Sequence, residues 1–278
     1  MPIISQNIEF GAPLKLSPWR RTAIAMWKTA KDPSVYGFID LECEAVLRYI
    51  EKLKVKHGTR ITLTHFAGRA IGEMLTRHPE LNTTLRWGTL YPRKNVDLTF
   101  TVASDTTGKD LSSYTIRQAQ NKGVLDIARE LGQEVPLIRS MQDPSHRVFK
   151  KIVAAMPPFL AGPAISLASF ILFTLNLWTP LFGLPRDGFG SVLVTNVGSL
   201  GLDTAFGALV PAVRIPMIIS VCAMKEMPVV RNSQVVAAPV LRLCLTVDHR
   251  VIDAVPAAKM AKTLRQIFAD PEKELGLR

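Results

Sequence analysis

The sequence predicts an α/β protein whose sheet has antiparallel or mixed pairings and carries packed helices. Helical and strand patterns alternate through the first half of the chain. From "GSVLVTN" onward the pattern turns mostly to strand, and "PVVRNSQVVAAPV" reads as a hairpin turning at Asn232-Ser233. A chain of 278 residues is long enough to bury a real core, as one large domain or two small ones.

Each element has its own warrant. "SPWRRTAIAMWKTA" offers Ser17 as a cap, Pro18 at the first helical position and apolar residues at helical spacing. "SVYGFIDLEC" reads as a strand, and "EAVLRYIEKLKVKHG" as an amphipathic helix closed by Gly58. "TLTHFAGRAIGEMLTRHP" is a second helix ending near Pro79. "VDLTFTVAS" alternates as a strand does, and "GVLDIARELGQE" returns to helix. No internal repeat is visible.

Composition narrows the function. The formal net charge of +11 favours an anionic partner, such as a phosphorylated cofactor, an anionic membrane surface or nucleic acid. The basic residues are scattered and aromatics make up only 7%, so a stacking platform for nucleic acid is not expected. Cys43, Cys222 and Cys244 are odd in number and far apart. They fit neither a disulfide framework nor a zinc site, and they suggest a reducing compartment. No secretory pattern opens the chain, so a cytoplasmic protein is expected.

One segment departs from the alternation. Between Lys151 and Arg186 the chain is almost uncharged for about 34 residues. Its uninterrupted part, Ala164 to Thr179, is about 16 residues, short of the roughly 20 that span a bilayer. Pro157, Pro158, Pro163 and Pro180 punctuate it, and Lys150, Lys151 and Arg186 flank it. Two readings stand: a buried helix or oligomer contact, and a hairpin dipping into the cytoplasmic face of a membrane as a peripheral or monotopic attachment.

The chemistry-bearing stretch is "CLTVDHRVIDAVPAAK", where a strand ends in Asp248 and His249 and a helix follows Asp253. A lone His-x-x-x-Asp pair is weak evidence, but a strand-to-helix turn presents side chains to ligands. The other histidines, His57, His65, His78 and His146, read as surface or helix residues. None pairs with a cysteine or carboxylate at metal spacing, so no metal is expected. "GFGSVLVTNVGSLG" has no helical pattern with a downstream acid after it and is not a dinucleotide fingerprint.

Five pieces in order resemble one family. "TVDHRVIDA" is similar to an Asp-His-Arg-x-x-Asp-Gly signature, and "TLTHFAGRAIGEMLTRHPELNTTL" to a Thr-x-x-x-Phe…Ala…His-Pro-x-Leu-Asn helix. "ASDTTGKDL…VLDIARELGQ" fits the central strand and helix, "GFGSVLVTNVGSLG" a Gly-x-x-x-x-Ser-Asn-x-Gly-x-x-Gly segment, and "SPWRR" an N-terminal Arg motif. The resemblance is to the catalytic domain of the dihydrolipoamide acyltransferases, the core component of 2-oxoacid dehydrogenase complexes.

This resemblance implies a chloramphenicol acetyltransferase-like two-layer sandwich with a mixed β-sheet, trimer-forming, as a single domain over 1–278. The apolar segment at about 152–183 would then be an insertion outside the core elements, removable without loss of the fold. The implied activity is coenzyme A-dependent acyl transfer to a thiol or other acceptor. By resemblance His249 is the general base and Thr195, at the family's serine position, the hydroxyl that stabilises the oxyanion. Asp253 is implied to pair with Arg20 and hold the histidine loop, and Asn196 to support the turn beside Thr195. The site would lie between subunits of a homotrimer, His249 from one and Thr195 from its neighbour. Neutral imidazole suits removal of a thiol proton near pH 7.

The departures leave a second class open. The signature's last Gly is Ala254, the family's Pro-Val is replaced around Ser113–Tyr114, and no lipoyl domain is seen before the catalytic part. The alternative is therefore a catalytically lapsed scaffold or membrane-associated structural protein on the same fold.

Overall fold

The computed structural model describes residues 5–17, 32–103, 111–139, 157–180 and 185–277. The expected helix from Pro18 onward, Arg20, His146, Lys150 and Lys151 lie outside them. In chain order the strands are β1 (Ser5–Gln6), β2 (Ser34–Glu42), β3 (Thr83–Arg86), β4 (Thr89–Pro92), β5 (Leu98–Ala103), β6 (Leu111–Ile116), β7 (Leu177–Trp178), β8 (Val192–Asn196), β9 (Met217–Arg231) and β10 (Gln234–Asp248). The helices are α1 (Glu44–His57), α2 (Leu63–Arg77), α3 (Val124–Arg139), α4 (Pro158–Ser169), α5 (Ala254–Ala269) and α6 (Pro271–Leu275).

Six strands form the main sheet in the order β2-β10-β9-β8-β5-β6. β8 runs parallel to both β5 and β9, and the other pairs are antiparallel, so the sheet is mixed. The hairpin β9–β10 turns at Asn232 and Ser233, both with positive φ (50° and 63°), as a tight two-residue hairpin turn requires. α1 closes at Gly58, and α2 begins in a capping box in which Thr62 and His65 bond each other's backbone N–H.

Alternation along each strand sends one set of side chains to the helices and the other set away. Leu98, Phe100, Val192, Val194, Ile219, Leu241 and Leu243 meet α1, α2, α3 and α5 in the main core. Phe66 of α2 is fully buried there, edge-on to Phe268 at 5.1 Å and to Tyr49 at 5.8 Å.

The apolar segment forms no pendant hairpin over its described residues. α4 runs into a single π-helical turn, Phe170–Thr174, and then β7, which pairs with β1. Leu172 and Phe173 are buried with Ile8, Val213, Ile215 and Ile218 on the sheet face opposite the helices. Asn176 accepts from Ile8 N–H at 2.7 Å and donates to Ile8 O at 2.8 Å, while Asn7 donates to Leu172 O at 3.0 Å. Removing the segment would expose this second cluster and take away these partners of Ile8 and Asn7. Among the described residues no helix is long and apolar enough to cross a membrane.

Candidate active site

β10 delivers His249 to a turn whose backbone is tied on both sides. Asp248 N–H donates to Pro216 O at 2.8 Å, and His249 N–H to Pro33 O at 3.0 Å. The buried Asp248 carboxylate accepts from Arg250 N–H at 2.9 Å and from its guanidinium Nη2 at 2.7 Å. Asp248 and Arg250 stand in the quoted signature, yet reading it as a sequence assigned them no role. They form the clamp that shapes the turn.

The imidazole is oriented through its Nδ1 edge. His249 Nδ1 lies 3.2 Å from Ile252 O and 3.5 Å from Asp253 Oδ1. A carbonyl and a carboxylate can only accept, so in the neutral ring Nδ1 carries the proton and Nε2 the lone pair. Asp253 is the N-cap residue of α5, but its side chain makes no capping bond and turns to the histidine instead. Its expected partner Arg20 lies outside the described residues. Ala254 is the first residue of α5, a helical conformation that any residue adopts, so the missing Gly creates no strain.

Thr195 lies near the end of β8 on the face away from the helices, where Thr101 Oγ1 donates to its hydroxyl oxygen at 2.8 Å. That bond leaves the Thr195 proton for another acceptor. Asn196 accepts from Ser199 N–H at 3.1 Å and donates to Thr64 Oγ1 at 2.9 Å, closing the turn after β8 onto α2. The glycines around Thr195 are spaced by contact. A Cβ on Gly190, at φ +57°, would lie 2.5 Å from Asp97 O, and one on Gly198 would lie 2.4 Å from Cys222 O. Both let backbones approach where a side chain cannot fit.

Register keeps the two halves apart within one chain. Thr195 pairs with Ser220, Ser220 with Cys244, and His249 lies five residues beyond Cys244. At about 3.3 Å per residue and 4.8 Å per strand, the two side chains are roughly 15–20 Å apart. At the His249 end, burial and the neighbouring Arg250 push the Arg214 guanidinium below its usual pKa.

The remaining predicted features resolve as structure. His65 caps α2, with burial and then Arg60 lowering its pKa to about 4. His78 Nε2 lies 2.8 Å from Thr263 Oγ1. Tyr114 bonds Glu130 at 3.3 Å on the helix side. Cys222 and Cys244 place their Sγ atoms 3.6 Å apart across β9–β10, a proximity that spacing did not reveal. No cluster of three His, Cys, Asp or Glu able to hold a metal ion occurs among the described residues.

The sequence profile of the 2-oxoacid dehydrogenases acyltransferase (catalytic domain) family matches residues 13–142 and 187–275 and leaves the apolar segment unmatched. The acetyltransferase component of the Bacillus subtilis acetoin cleaving system is 23% identical over 216 residues, 78% of this chain and 43% of that protein. The mitochondrial dihydrolipoyllysine-residue succinyltransferase of Saccharomyces cerevisiae is 24% identical over 249 residues, 89% of this chain and 44% of that protein. The chain thus spans less than half the length of these two relatives. A solved structure of Azotobacter vinelandii dihydrolipoamide acetyltransferase, investigated for the roles of a serine, a histidine and an asparagine in its catalysis, shares the fold. It superposes with a TM-score of 0.65 at 19% identity, covering 96% of this chain and 94% of that one.

Proposed function

This chain belongs to the 2-oxoacid dehydrogenase acyltransferase (catalytic domain) family, and on that premise we propose that it moves an acyl group between coenzyme A and a thiol. The observation that carries the reading is that His249 Nδ1 faces two acceptors, Ile252 O and Asp253 Oδ1, an arrangement that makes Nε2 the basic nitrogen of the neutral ring. The relatives' names make a dihydrolipoyl thiol the acceptor we favour. His249 Nε2 takes the acceptor's thiol proton, and the thiolate sulfur attacks the thioester carbonyl. The Thr195 hydroxyl donates to the oxyanion. The tetrahedral intermediate collapses, the C–S bond to coenzyme A breaks, and the His249 proton passes to the departing thiolate. Asp253 stabilises the imidazolium formed between these steps. Arg214 and Arg250 give the phosphate-bearing coenzyme A a positive rim at the same end.

Because His249 and Thr195 are far apart in one chain, the reading requires a second copy to complete the site, and a homotrimer with His249 from one subunit and Thr195 from the next is the assembly proposed. The test is transfer from acyl-CoA to dihydrolipoamide. His249→Ala is expected to lower the rate by about 10²–10⁴ with little change in Tm, and Thr195→Val by about 10²–10³. Activity within tenfold of wild type in His249→Ala removes the base. An active monomer in light scattering removes the shared site. A folded trimer inert towards every acyl-CoA favours the scaffold reading.

The exposed side chains of the apolar segment favour a second reading, attachment to an anionic membrane surface. Phe159 (76% exposed) and Leu167 (61%) project outward, and Trp87 (62%) stands edge-on to Phe170. Flotation with anionic liposomes, lost in a Phe159→Glu/Leu167→Glu variant, is the expected result; a protein that never floats has no such attachment.

A further inference from the structure

On the sheet face that bears Thr195, the apolar segment walls a cavity of about 260 Å³. Ile165, Ala168, Leu172 and Phe173 form one side, and Phe189 and Val213 the other. Leu172, Phe173 and Val213 belong to the second apolar cluster, on which Leu193 packs. Leu193 and Thr195 share one face of β8, about 7 Å apart. The cavity and the hydroxyl proposed to meet the thioester oxygen therefore lie on the same face of the sheet. A second line of contacts runs the same way: Gly188, on the cavity wall, accepts from Thr115, and Thr115 bonds Thr99 on the strand that carries Thr101.

The lining states what the cavity can hold. No Lys, Arg, His, Asp or Glu lines it among the described residues. Asn7, one of its two polar side chains, is already committed, donating to Leu172 O and accepting from Asp187 N–H, both at 3.0 Å. A carboxylate placed there would be buried without a partner, which is costly. A concave space with so apolar a lining takes apolar guests.

We propose that this cavity receives the hydrocarbon tail of the acyl group, so that the substrate is a thioester of an unbranched apolar acid. At about 30 Å³ per water-sized group, the space suits a chain of roughly six to nine carbons. The inference rests on the acyl-transfer reading and deepens it: the segment that the family profile leaves unmatched sets the acyl specificity.

The experiment compares acetyl-, succinyl-, hexanoyl- and octanoyl-CoA as donors to dihydrolipoamide with the full chain. In parallel, calorimetric titration with octan-1-ol reads the cavity without any transfer. kcat/KM is expected to rise up to about fourfold per buried methylene as the chain lengthens, with succinyl-CoA below octanoyl-CoA. Ala168→Trp, which fills the cavity, is expected to lower the octanoyl-to-acetyl ratio at least tenfold and to abolish octanol binding. Ala168→Leu, a milder filling, is expected to shift the optimum to a shorter chain. Equal use of acetyl and octanoyl groups, a preference for succinyl, or a ratio unmoved by both variants overturns the proposal while acyl transfer stands. Octanol binding that Ala168→Trp removes, in a protein that transfers nothing, supports the cavity and overturns the transfer reading instead.

Discussion

On the helical face of the sheet, Phe66, Leu75, Ile127 and Met260 are fully enclosed by hydrocarbon. On the opposite face, Leu172, Phe173 and Val213 leave a cavity between them, and their surroundings are stitched by buried polar groups. Arg93 reaches from the end of β4 to the Asp187 carboxylate, and Asn7 and Asn176 tie β1 to the apolar segment. The first cluster lies almost wholly within the residues the family profile matches, while Leu172 and Phe173 of the second lie outside them. The contrast teaches that the helical face is held by packing, whereas the opposite face combines apolar packing with paired polar groups. An apolar space can therefore persist beside them without loss of the fold.

The contrast is broken most severely by exchanging the kind of group removed. Phe66→Ala is expected to cost about 3–5 kcal/mol by opening a hole in a close-packed core. Arg93→Ala is expected to cost a similar 3–5 kcal/mol for the opposite reason, since it leaves Asp187 charged and buried without its guanidinium. Urea unfolding measures both. A neutral result for Arg93→Ala would mean that hydrocarbon, not charge, holds the second face.

Acid separates the two faces next. Burial, and then the Arg60 charge, hold the His65 pKa near 4 against about 6.5 when unfolded, and protonation would also take away the Nδ1 acceptor of Thr62 N–H. The unfolded state binds the extra proton between these values, so this contribution is complete above pH 6.5 and is lost as pH falls towards 4. The loss is about 2 kcal/mol by pH 5 and about 3 kcal/mol below pH 4. His65→Asn, which can cap without titrating, should flatten that part of the pH profile. An unchanged profile would show that His65 already titrates normally.

The smallest effect is expected on the cavity side. Leu172→Ala enlarges a space that already exists and should cost about 2 kcal/mol, the low end for such a change. A cost above 4 kcal/mol would mean that the second cluster is packed as tightly as the first.

Much of this was legible before any coordinates. The hairpin at Asn232-Ser233 and the helix closed by Gly58 announced themselves through residues adjacent to the feature they specify. The turn bearing His249 was readable from the strand that ends at Asp248 and the helix that follows Asp253, whereas the Asp248–Arg250 clamp that shapes it was not. The tie between β1 and β7 was not readable: two-residue strands leave no periodicity, and their partners are about 170 residues apart.

Sequence by itself determined the mixed α/β class, the family and the candidate residues, because caps, turns and alternation are local and the five pieces occur in order. Tertiary structure alone decided that Thr195 and His249 point to separate ends of one chain, and that the apolar segment folds back over the sheet to wall a cavity. Those outcomes depend on strand register and on buried amide pairs that join distant residues, and no local pattern encodes the distance between them.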